Sequence, residues 1–455
     1  MKIQNINPAT NEVFAEIETS TEEEIRQKVA DAHLAQPSWQ ELGVKGRIEI
    51  LQKLYEAFEA EKKALGDLST KSMGMPVSLR DEFDIEAGLH YFKGYLDNAE
   101  KFLSPEISFE DDVTINTVYY EPTGVVASIT PWNFPFCNFI WGVMPNLVVG
   151  NTVVFKHSEE CMAFGQLLDQ IITKANLPKG VFSQVYGNGK VGDILVHQNI
   201  DLICFTGSTA VGKHLYNVAA EKFIRIILEL GGSAPAIVFE DADMDKLSEA
   251  VFFNRFANSG QICDGLKRLI VHKNIREKVI NTLAEMLKTK KVGNPQDSSV
   301  EIGPLVSTKQ VDTLKAQVDD AIAKGAEVTV SIDSPKTGSF YNPTILTNIT
   351  KDMKVWTEEV FGPVLPIITF ETEQEAIDLA NDTIYGLGGY VFTENKAKAK
   401  KIASKIKTGM VSTNGALYLQ PTSPFGGCKQ SGLGREHGKY GLHDLCLIKV
   451  VSQEK

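Results

Sequence analysis

From Gly124 onward, short segments rich in β-branched residues alternate with segments that have helical periodicity. The predicted strands are "GVVASIT", "NTVVFK", "VFSQVYG", "LICFTG" and "IILEL", and the predicted helices among them are "FIWGVMPNLVVG", "CMAFGQLLDQIITKA" and "AVGKHLYNVAAE". Strands and helices that alternate in this way form a parallel sheet with helices on both faces. We therefore predict an α/β fold, in which nucleotides commonly bind at the carboxyl ends of the strands.

A second strand–helix run follows "GGSAPAIVFEDAD". A chain of 455 residues is long enough for two or three packed units, so the two runs can belong to separate units. This run includes the predicted helix "MDKLSEAVFFNRFANS", the strand "RLIVHK" and the helix "NIREKVINTLAEMLK". Ahead of both runs, residues 21–97 have the spacing of amphipathic outer helices. Two segments fit neither run: a predicted hairpin, "EISFEDDVTINTVYYEP", and a predicted terminal strand, "LIKVVSQEK". Such strands need partners, and another subunit is one source of them.

Charge and cysteine content argue against several classes of protein. The net charge of −12 argues against nucleic acid or an anionic membrane as the main partner. The start "MKIQNINPATNEVFAEI" lacks the apolar core of a signal peptide, and no apolar run is long enough to span a bilayer. The six cysteines show neither CxxC pairing nor histidine partners at zinc-ligand spacing. We expect no metal site and a reduced, cytoplasmic protein.

Two segments at predicted strand ends contain glycine and a polar residue suited to chemistry. In "CFTGSTAVGK", Gly207 lets backbone N–H groups approach a phosphate and Ser208 adds a hydroxyl; the alternative is a tight structural turn. In "LELGGSAP", Glu229 ends an apolar strand. An apolar setting raises the pKa of a carboxyl group toward that of a general base, although a solvated strand end is the alternative.

Two further segments supply a candidate amide and a candidate thiol. Asn133 lies between two prolines in "PWNFP", where a rigid amide is placed to donate to an oxyanion or simply to cap a turn. Cys263 in "NSGQICDGLKRL" is either a buried apolar filler or a nucleophile. A nucleophile needs a base, an oxyanion donor and, here, a cofactor, and the chain offers one candidate for each. Together, these candidates favour a nucleophilic Cys263 over a buried apolar filler.

In this order, "PWNFP", "FTGSTAVG", "LELGG", "SGQIC", "EEVFGPV" and "SPFGGCKQSGLGRE" resemble the NAD(P)-dependent aldehyde dehydrogenase superfamily. The closing "GREHGKYGLHDLCLIKVV" is most similar to the short succinate-semialdehyde dehydrogenase-like branch. The resemblance implies three parts: a Rossmann-type cofactor domain (1–103 and 121–230), an α/β catalytic domain (231–430) and a small β oligomerisation element (104–120 and 446–455). It also implies a homodimer or homotetramer.

The resemblance further implies a mechanism and a set of site residues. The Cys263 thiolate attacks the aldehyde, Asn133 and the Cys263 N–H hold the oxyanion, and Glu229 activates the water that releases the acid. The implied cofactor-binding residues are Thr130, Trp132, Lys156, Glu159, Gly207, Ser208, Gly231, Glu359 and Phe361. A carboxylate at 159 bonds a free 2′-hydroxyl and repels a 2′-phosphate, which favours NAD. The imidazole of His157 leaves NADP as the alternative, since it is a possible partner for that phosphate.

The implied substrate tunnel consists of Phe134, Trp141, Asp264 and Phe425. The branch predicts a semialdehyde such as succinate semialdehyde as the substrate. However, Trp141 stands where members that take carboxylate-bearing aldehydes often have an arginine, and Asp264 repels anions if it faces the tunnel. Alternatively, Asp264 points to solvent or pairs with Lys267 or Arg268. Three functional alternatives remain: a dehydrogenase for neutral aliphatic aldehydes or aminoaldehydes, a cofactor-independent thiol esterase or acyltransferase, and a non-catalytic scaffold.

Overall fold

The first strand–helix run forms a six-stranded sheet in the computed structural model, which describes residues 1–455. The strand order is β17-β9-β8-β5-β6-β7, and all neighbours are parallel except β17, which runs antiparallel to β9. The central strands are buried along their whole length, as expected for a sheet covered on both faces. The strands are β5 (Val125–Ile129), β6 (Thr152–Lys156), β7 (Phe182–Val185), β8 (Leu202–Thr206), β9 (Arg225–Glu229) and β17 (Gly432–Leu433).

Helices from three parts of the chain cover this sheet. The capping box formed by Thr21 and Glu24 fixes the start of the first helix. The fifth helix is apolar nearly all round because it lies among the outer helices and the sheet. The helices are α1 (Glu22–Glu41), α2 (Gly43–Ala60), α3 (Lys62–Met73), α4 (Ala87–Phe102), α5 (Pro135–Val149), α6 (Met162–Lys174), α7 (Gly189–Val196), α8 (Thr209–Lys222) and α15 (Gly438–Asp444).

The second run forms a seven-stranded sheet of order β12-β13-β14-β11-β10-β15-β16, parallel except for β12. The strands are β10 (Ala234–Val238), β11 (Leu266–His272), β12 (Glu327–Ser331), β13 (Thr344–Thr347), β14 (Val364–Phe370), β15 (Tyr390–Phe392) and β16 (Ser412–Thr413). The helices are α9 (Met244–Val251), α10 (Arg276–Lys288), α11 (Thr308–Ala323), α12 (Lys354–Thr357), α13 (Glu373–Asn381) and α14 (Lys396–Ala403). The predicted α/β fold with parallel sheets is confirmed.

The helix predicted over "MDKLSEAVFFNRFANS" is wrong in its second half. Helix α9 ends at Val251 and is followed by a π-helical turn, Phe252–Phe256, and a 3₁₀ turn, Ala257–Gly260. Within the 3₁₀ turn, Asn258 (φ 49°) and Ser259 (φ 53°) have left-handed backbone, which interrupts the helical path. This irregular segment leads directly to Cys263.

The segments that fit neither run pair with each other in a three-stranded antiparallel sheet of order β18-β4-β3. Its strands are β3 (Glu106–Glu110), β4 (Thr114–Pro122) and β18 (Cys446–Glu454). Their partners therefore lie within the chain, while the outer edges of β3 and β18 remain open. An N-terminal hairpin of β1 (Lys2–Asn7) and β2 (Glu12–Glu18) forms a fourth, two-stranded sheet. No helix of the chain has both the length and the apolar character that a membrane span requires.

Candidate active site

Cys263, Glu229 and Asn133 line one cavity of about 300 Å³ between the two large sheets. Each is carried by a different element: Glu229 ends β9, Asn133 precedes α5, and Cys263 lies in the loop before β11. The cavity therefore brings together the candidate base, amide and thiol of the sequence analysis. The other lining residues are Pro131, Trp132, Asn138, Thr206, Gly207, Ser208, Leu230, Gly231, Gln310, Glu359 and Phe361.

Buried side-chain hydrogen bonds hold the loop that presents Cys263. Asn258 Nδ2 donates to the Asn133 carbonyl at 2.9 Å, and Ser259 Oγ donates to the Gly303 carbonyl at 2.6 Å. Gln261 Oε1 accepts from the Val306 N–H at 2.9 Å. These three bonds join the loop to both large units, and they compensate for the left-handed backbone before Cys263.

Hydrogen bonds fix the orientation of the Asn133 amide. Its Oδ1 accepts from Asn138 Nδ2 at 3.0 Å, so the nitrogen is the donor end. That Nδ2 donates one hydrogen to the Gln261 carbonyl at 3.0 Å. A side-chain amide carries two N–H donors, so one remains for an oxygen in the cavity. This is the donor that an oxyanion next to Cys263 requires.

The Glu229 carboxyl is 2% exposed, and neither of its oxygens has a hydrogen-bond partner in the protein. A solvated strand end is thereby excluded. Burial raises the pKa of Glu229 well above its ordinary value, and the nearby Glu436 carboxyl adds to the rise. Burial also raises the pKa of Glu436 to about 7. An unpaired carboxyl group with a raised pKa beside a thiol is suited to general-base work.

The Cys263 thiol lies in an environment that opposes its ionisation. Burial raises the pKa of Cys263 well above its ordinary value, and the negative charge of Asp264 raises that pKa further. The ammonium group of Lys267 acts in the opposite direction and lowers it. The resting group is therefore the thiol, and its proton has to be removed before attack.

Asp264 does not point to solvent and does not pair with Lys267 or Arg268, so that alternative for Asp264 is wrong. Its side chain is 7% exposed, and Oδ2 accepts from the Tyr418 hydroxyl at 2.6 Å. Its Oδ1 lies 3.8 Å from Cys263 Sγ. Arg268 instead donates to buried backbone carbonyls, including that of Ser233 at 3.0 Å. Asp264 is thus a buried acid in contact with the candidate nucleophile.

The sequence indicates Lys267 only as a possible partner of Asp264, whereas the structure gives it a different place. Its fully buried ammonium group donates to the carbonyls of Gly232 at 2.8 Å and Cys263 at 2.7 Å, and to Glu359 Oε1 at 2.5 Å. Three donors meet three acceptors, which satisfies the group completely. The fold brings these acceptors together, so no pattern local to Lys267 indicated them.

Three of the four predicted tunnel residues cluster beside Cys263. The ring centroids of Trp141 and Phe425 are 5.4 Å apart, and both residues pack with Cys263 in one apolar cluster that also contains Leu387 and Met410. Phe134 lies elsewhere, against Met73, Met75 and Val306. No lysine or arginine lines the Cys263 cavity.

The first cavity adjoins a cleft of about 420 Å³ lined by residues predicted to bind the cofactor. The two cavities share Trp132, Gly207 and Ser208, so they form one continuous space. Ser208 caps the N-terminus of α8, which favours an anion such as a pyrophosphate. The cleft is also lined by residues that the sequence analysis did not select: Ser158, Glu160, Asp193, His214, Ser307, Lys309 and Gln310.

The far end of this cleft contains Lys156 and Glu159, with Nζ 3.8 Å from a carboxylate oxygen of Glu159. Lys156 is buried, whereas the Glu159 carboxylate is nearly half exposed to the cleft. His157 is buried and turned to the Pro135 carbonyl, 3.2 Å from Nε2, and burial lowers the pKa of His157 to about 3. His157 is therefore a neutral core residue, and its proposed contact with a 2′-phosphate is wrong.

Glu359 and Phe361 line the Cys263 cavity, on the side that continues into the cleft. Glu359 Oε1 accepts from the Gly232 N–H at 3.1 Å, and a Cβ placed on Gly231 would lie 2.1 Å from Glu359 Oε2. Phe361 meets Trp132 edge to face, with ring centroids 5.6 Å apart. Two carboxylates, a buried lysine, a helix N-terminus and an aromatic face suit a dinucleotide. No group of three or more His, Cys, Asp or Glu side chains is arranged to hold a metal ion.

Comparisons with known proteins point to one family. A family model described as "Aldehyde dehydrogenase family" matches residues 1–451. The chain is 35% identical to peroxisomal aminoaldehyde dehydrogenase 1 of Pisum sativum, over 99% of the chain and 92% of that relative. It is 36% identical to mitochondrial succinate-semialdehyde dehydrogenase of Arabidopsis thaliana, over 98% and 85% of the respective chains. The crystal structure of betaine aldehyde dehydrogenase from Staphylococcus aureus with NAD⁺ superimposes with a TM-score of 0.94 at 34% identity, covering 99% and 91% of the respective chains.

Proposed function

The chain belongs to the aldehyde dehydrogenase family and is an enzyme that acts on aldehydes; on that premise, we propose that it oxidises an aldehyde to the carboxylic acid with NAD. One observation carries the proposal: Cys263, Glu229 and Asn133 line a single cavity that opens into the cleft containing Lys156 and Glu159. The first three residues supply a nucleophile, a base and an oxyanion donor, and the cleft supplies room for the dinucleotide.

The first half of the reaction forms a bond between Cys263 and the substrate. The thiol loses its proton, for which Glu229 is the unpaired acceptor in the same cavity, and the sulfur attacks the carbonyl carbon. The free N–H of Asn133 and the backbone N–H of Cys263 hold the oxygen that becomes negative. A bound nicotinamide would supply the hydride acceptor, and Cys263 would then hold the acyl group as a thioester.

The second half of the reaction releases the acid. Once Glu229 has released the proton of Cys263 to solvent, it takes a proton from a water molecule, which attacks the thioester and frees the Cys263 sulfur. Because burial raises the pKa of Glu229, the carboxylate binds that proton more readily than an exposed one would. Asn133 again holds the oxygen during this attack.

The cofactor cleft favours NAD over NADP. The Glu159 carboxylate is placed with Lys156 to bond the hydroxyls of a ribose, and it repels a 2′-phosphate. The neutral, buried His157 offers that phosphate no compensating charge. Lys156 and Glu159 would therefore hold the adenosine ribose, and Glu359 the ribose next to the nicotinamide.

The surroundings of Cys263 favour an uncharged or amino-bearing aldehyde. Asp264 places a buried carboxylate 3.8 Å from the sulfur, where it would repel the carboxylate of a semialdehyde acid. The aromatic faces of Trp141 and Phe425 accept apolar or cationic groups. Succinate semialdehyde is the second candidate, supported by the closing sequence segment and by the Arabidopsis relative.

A panel of aldehydes of equal chain length tests this proposal. We expect NAD reduction with butanal and 4-aminobutanal to exceed that with succinate semialdehyde, and NADP to be the poorer cofactor. Cys263→Ala should abolish the reaction, whereas Cys428→Ala, at a partly exposed cysteine outside both cavities, should not.

An active Cys263→Ala variant would overturn the mechanism. A strong preference for succinate semialdehyde would overturn the substrate assignment alone, and ester turnover without any NAD reduction would favour a thiol esterase.

The small sheet supports a proposal about assembly. Strands β3 and β18 have open edges and expose Ile107, Phe109, Ile448 and Val450. Exposed apolar strands at an edge pair readily with another chain, so we expect a homodimer or homotetramer. Light scattering should give a monomer for an Ile448→Lys variant if β18 forms the contact. The cytoplasmic location stays a prediction, since the two relatives above are named as peroxisomal and mitochondrial.

A further inference from the structure

Asn5 lies in the N-terminal hairpin and is the single buried residue of β1. Its side chain is completely inaccessible, although an asparagine within a short outer strand is usually exposed. The pairing of β1 with β2 shifts register between Asn5 and Ile6, and such a bulge redirects a side chain. A polar group in this position needs partners elsewhere in the fold.

Both partners of Asn5 lie on the wall of the cofactor cleft. Nδ2 donates to the Glu159 carbonyl at 2.6 Å, and Oδ1 accepts from the Ala163 N–H at 2.7 Å. The two bonds span the 3₁₀ turn Glu159–Cys161 and the start of α6. Asn5 thus fixes the backbone from which the Glu159 carboxylate projects into the cleft beside Lys156.

The turn of the same hairpin reaches the segment that forms the opposite wall of the cleft. The Pro8 carbonyl accepts from the Ser339 N–H at 2.7 Å, and Asn11 Oδ1 accepts from Ser339 Oγ at 3.1 Å. The Ser339 carbonyl in turn accepts from the Leu305 N–H at 2.8 Å. The residues that follow Leu305 line the cleft: Val306, Ser307, Lys309 and Gln310. The N-terminal hairpin is therefore hydrogen-bonded to both segments that line the cofactor cleft.

We propose that Asn5 is a positioning residue for cofactor selectivity, which acts by holding the backbone of Glu159 in the wall of the cofactor cleft. The proposal rests on the proposed role of Glu159 as the ribose acceptor. Without the Asn5 amide, the Glu159 carbonyl and the Ala163 N–H lose their partners, and the turn relaxes. The Glu159 carboxylate then neither meets the ribose hydroxyls nor repels a 2′-phosphate as strongly.

The test compares nucleotide binding to the full-length Asn5→Ala and Asn5→Asp variants by titration calorimetry. Asn5→Asp keeps the shape and the acceptor for Ala163 but removes the donor to Glu159, so it guards against a simple packing defect. We expect NAD to bind about fivefold more weakly to both variants, the factor that corresponds to roughly 1 kcal/mol for one hydrogen bond. NADP binding should change less, so the preference for NAD shrinks. Hydrogen exchange of the amides in residues 159–163 should accelerate.

The neighbouring residue supplies a matched control. Gln4 lies on the same strand, is exposed and bonds only Glu16, so Gln4→Ala should bind both nucleotides as the unaltered protein does. Unchanged NAD affinity in both Asn5 variants would overturn the inference, and so would an equal loss for NAD and NADP. A Glu159→Gln variant distinguishes failure of the Asn5 inference from failure of the proposed ribose contact. If Glu159→Gln weakens NAD binding while the Asn5 variants do not, only the inference about Asn5 fails. If Glu159→Gln leaves NAD binding unchanged, the proposed contact between Glu159 and the ribose fails, and the inference about Asn5 fails with it.

Discussion

The contact between Asp264 and Cys263 predicts how one substitution changes the thiol. The two side chains are 3.8 Å apart, and Asp264 has its other oxygen bonded to Tyr418. Two unit charges at about 4 Å interact by about 4 kcal/mol at an effective dielectric constant of about 20. Asp264→Asn removes this repulsion between carboxylate and thiolate, so the pKa of Cys263 should fall.

The expected gain in reactivity follows from that energy. At a pH well below the thiol pKa, 4 kcal/mol corresponds to a rise in thiolate of up to about a thousandfold. A thiolate of lower pKa is also a weaker nucleophile, which offsets about half of the gain on a logarithmic scale. Alkylation of Asp264→Asn by iodoacetamide at pH 7 should therefore be up to about thirtyfold faster, with its pH profile moved to lower pH.

A second variant should change the alkylation rate of Cys263 in the opposite direction. Tyr418→Phe keeps the Asp264 carboxylate but removes the hydroxyl that donates to it at 2.6 Å, so its negative charge is felt more strongly at the sulfur. Alkylation of Cys263 should then become slower. Stopped-flow alkylation with peptide mapping of Cys263 measures both effects. Equal rates in all three proteins, or the same direction of change in both variants, would refute the electrostatic reasoning.

Three further substitutions have defined outcomes. Asn133→Ala removes an oxyanion donor and should lower kcat by about 10²–10³, measured by NADH absorbance. Glu229→Gln removes the base and should slow thioester hydrolysis by about 10²–10⁴. Because burial raises the pKa of Glu229, the hydrolysis rate of the unaltered protein should rise with pH, whereas that of the variant should not. Lys267→Met removes the charged donor of Glu359, which keeps only the Gly232 N–H, and the donor of the Cys263 carbonyl; it should weaken NAD binding in calorimetry and slow alkylation of Cys263.

The sheets could be predicted because their signals are local. Mostly buried, apolar strands of five to seven residues alternate with amphipathic helices in both large units, and this pattern requires no knowledge of distant contacts. The helix that begins at Met244 ends earlier than its sequence pattern predicts, because its end depends on distant contacts. Asn258 and Ser259 are bonded to Asn133 and Gly303, so tertiary structure overrides local propensity there.

Within the site, residue types could be predicted but their partners could not. Cys263, Glu229 and Asn133 stand out because their motifs resemble a known family, and the fold places them in one cavity. Tyr418 follows Asp264 by more than a hundred residues, and nothing near either position indicates their bond. The same holds for Asn5, whose burial depends on a turn that lies far along the chain.

The most direct test of the account is to trap the covalent intermediate. Glu229→Gln protein mixed with NAD and butanal should form one equivalent of NADH, more slowly than the unaltered protein because Cys263 has lost its proton acceptor, and then stall. Intact-mass spectrometry should show the protein heavier by one butanoyl group, and peptide mapping should place that group on Cys263. A stalled enzyme with no acyl group, or an acyl group on another residue while the Cys263→Ala variant still reduces NAD, would contradict the central claim.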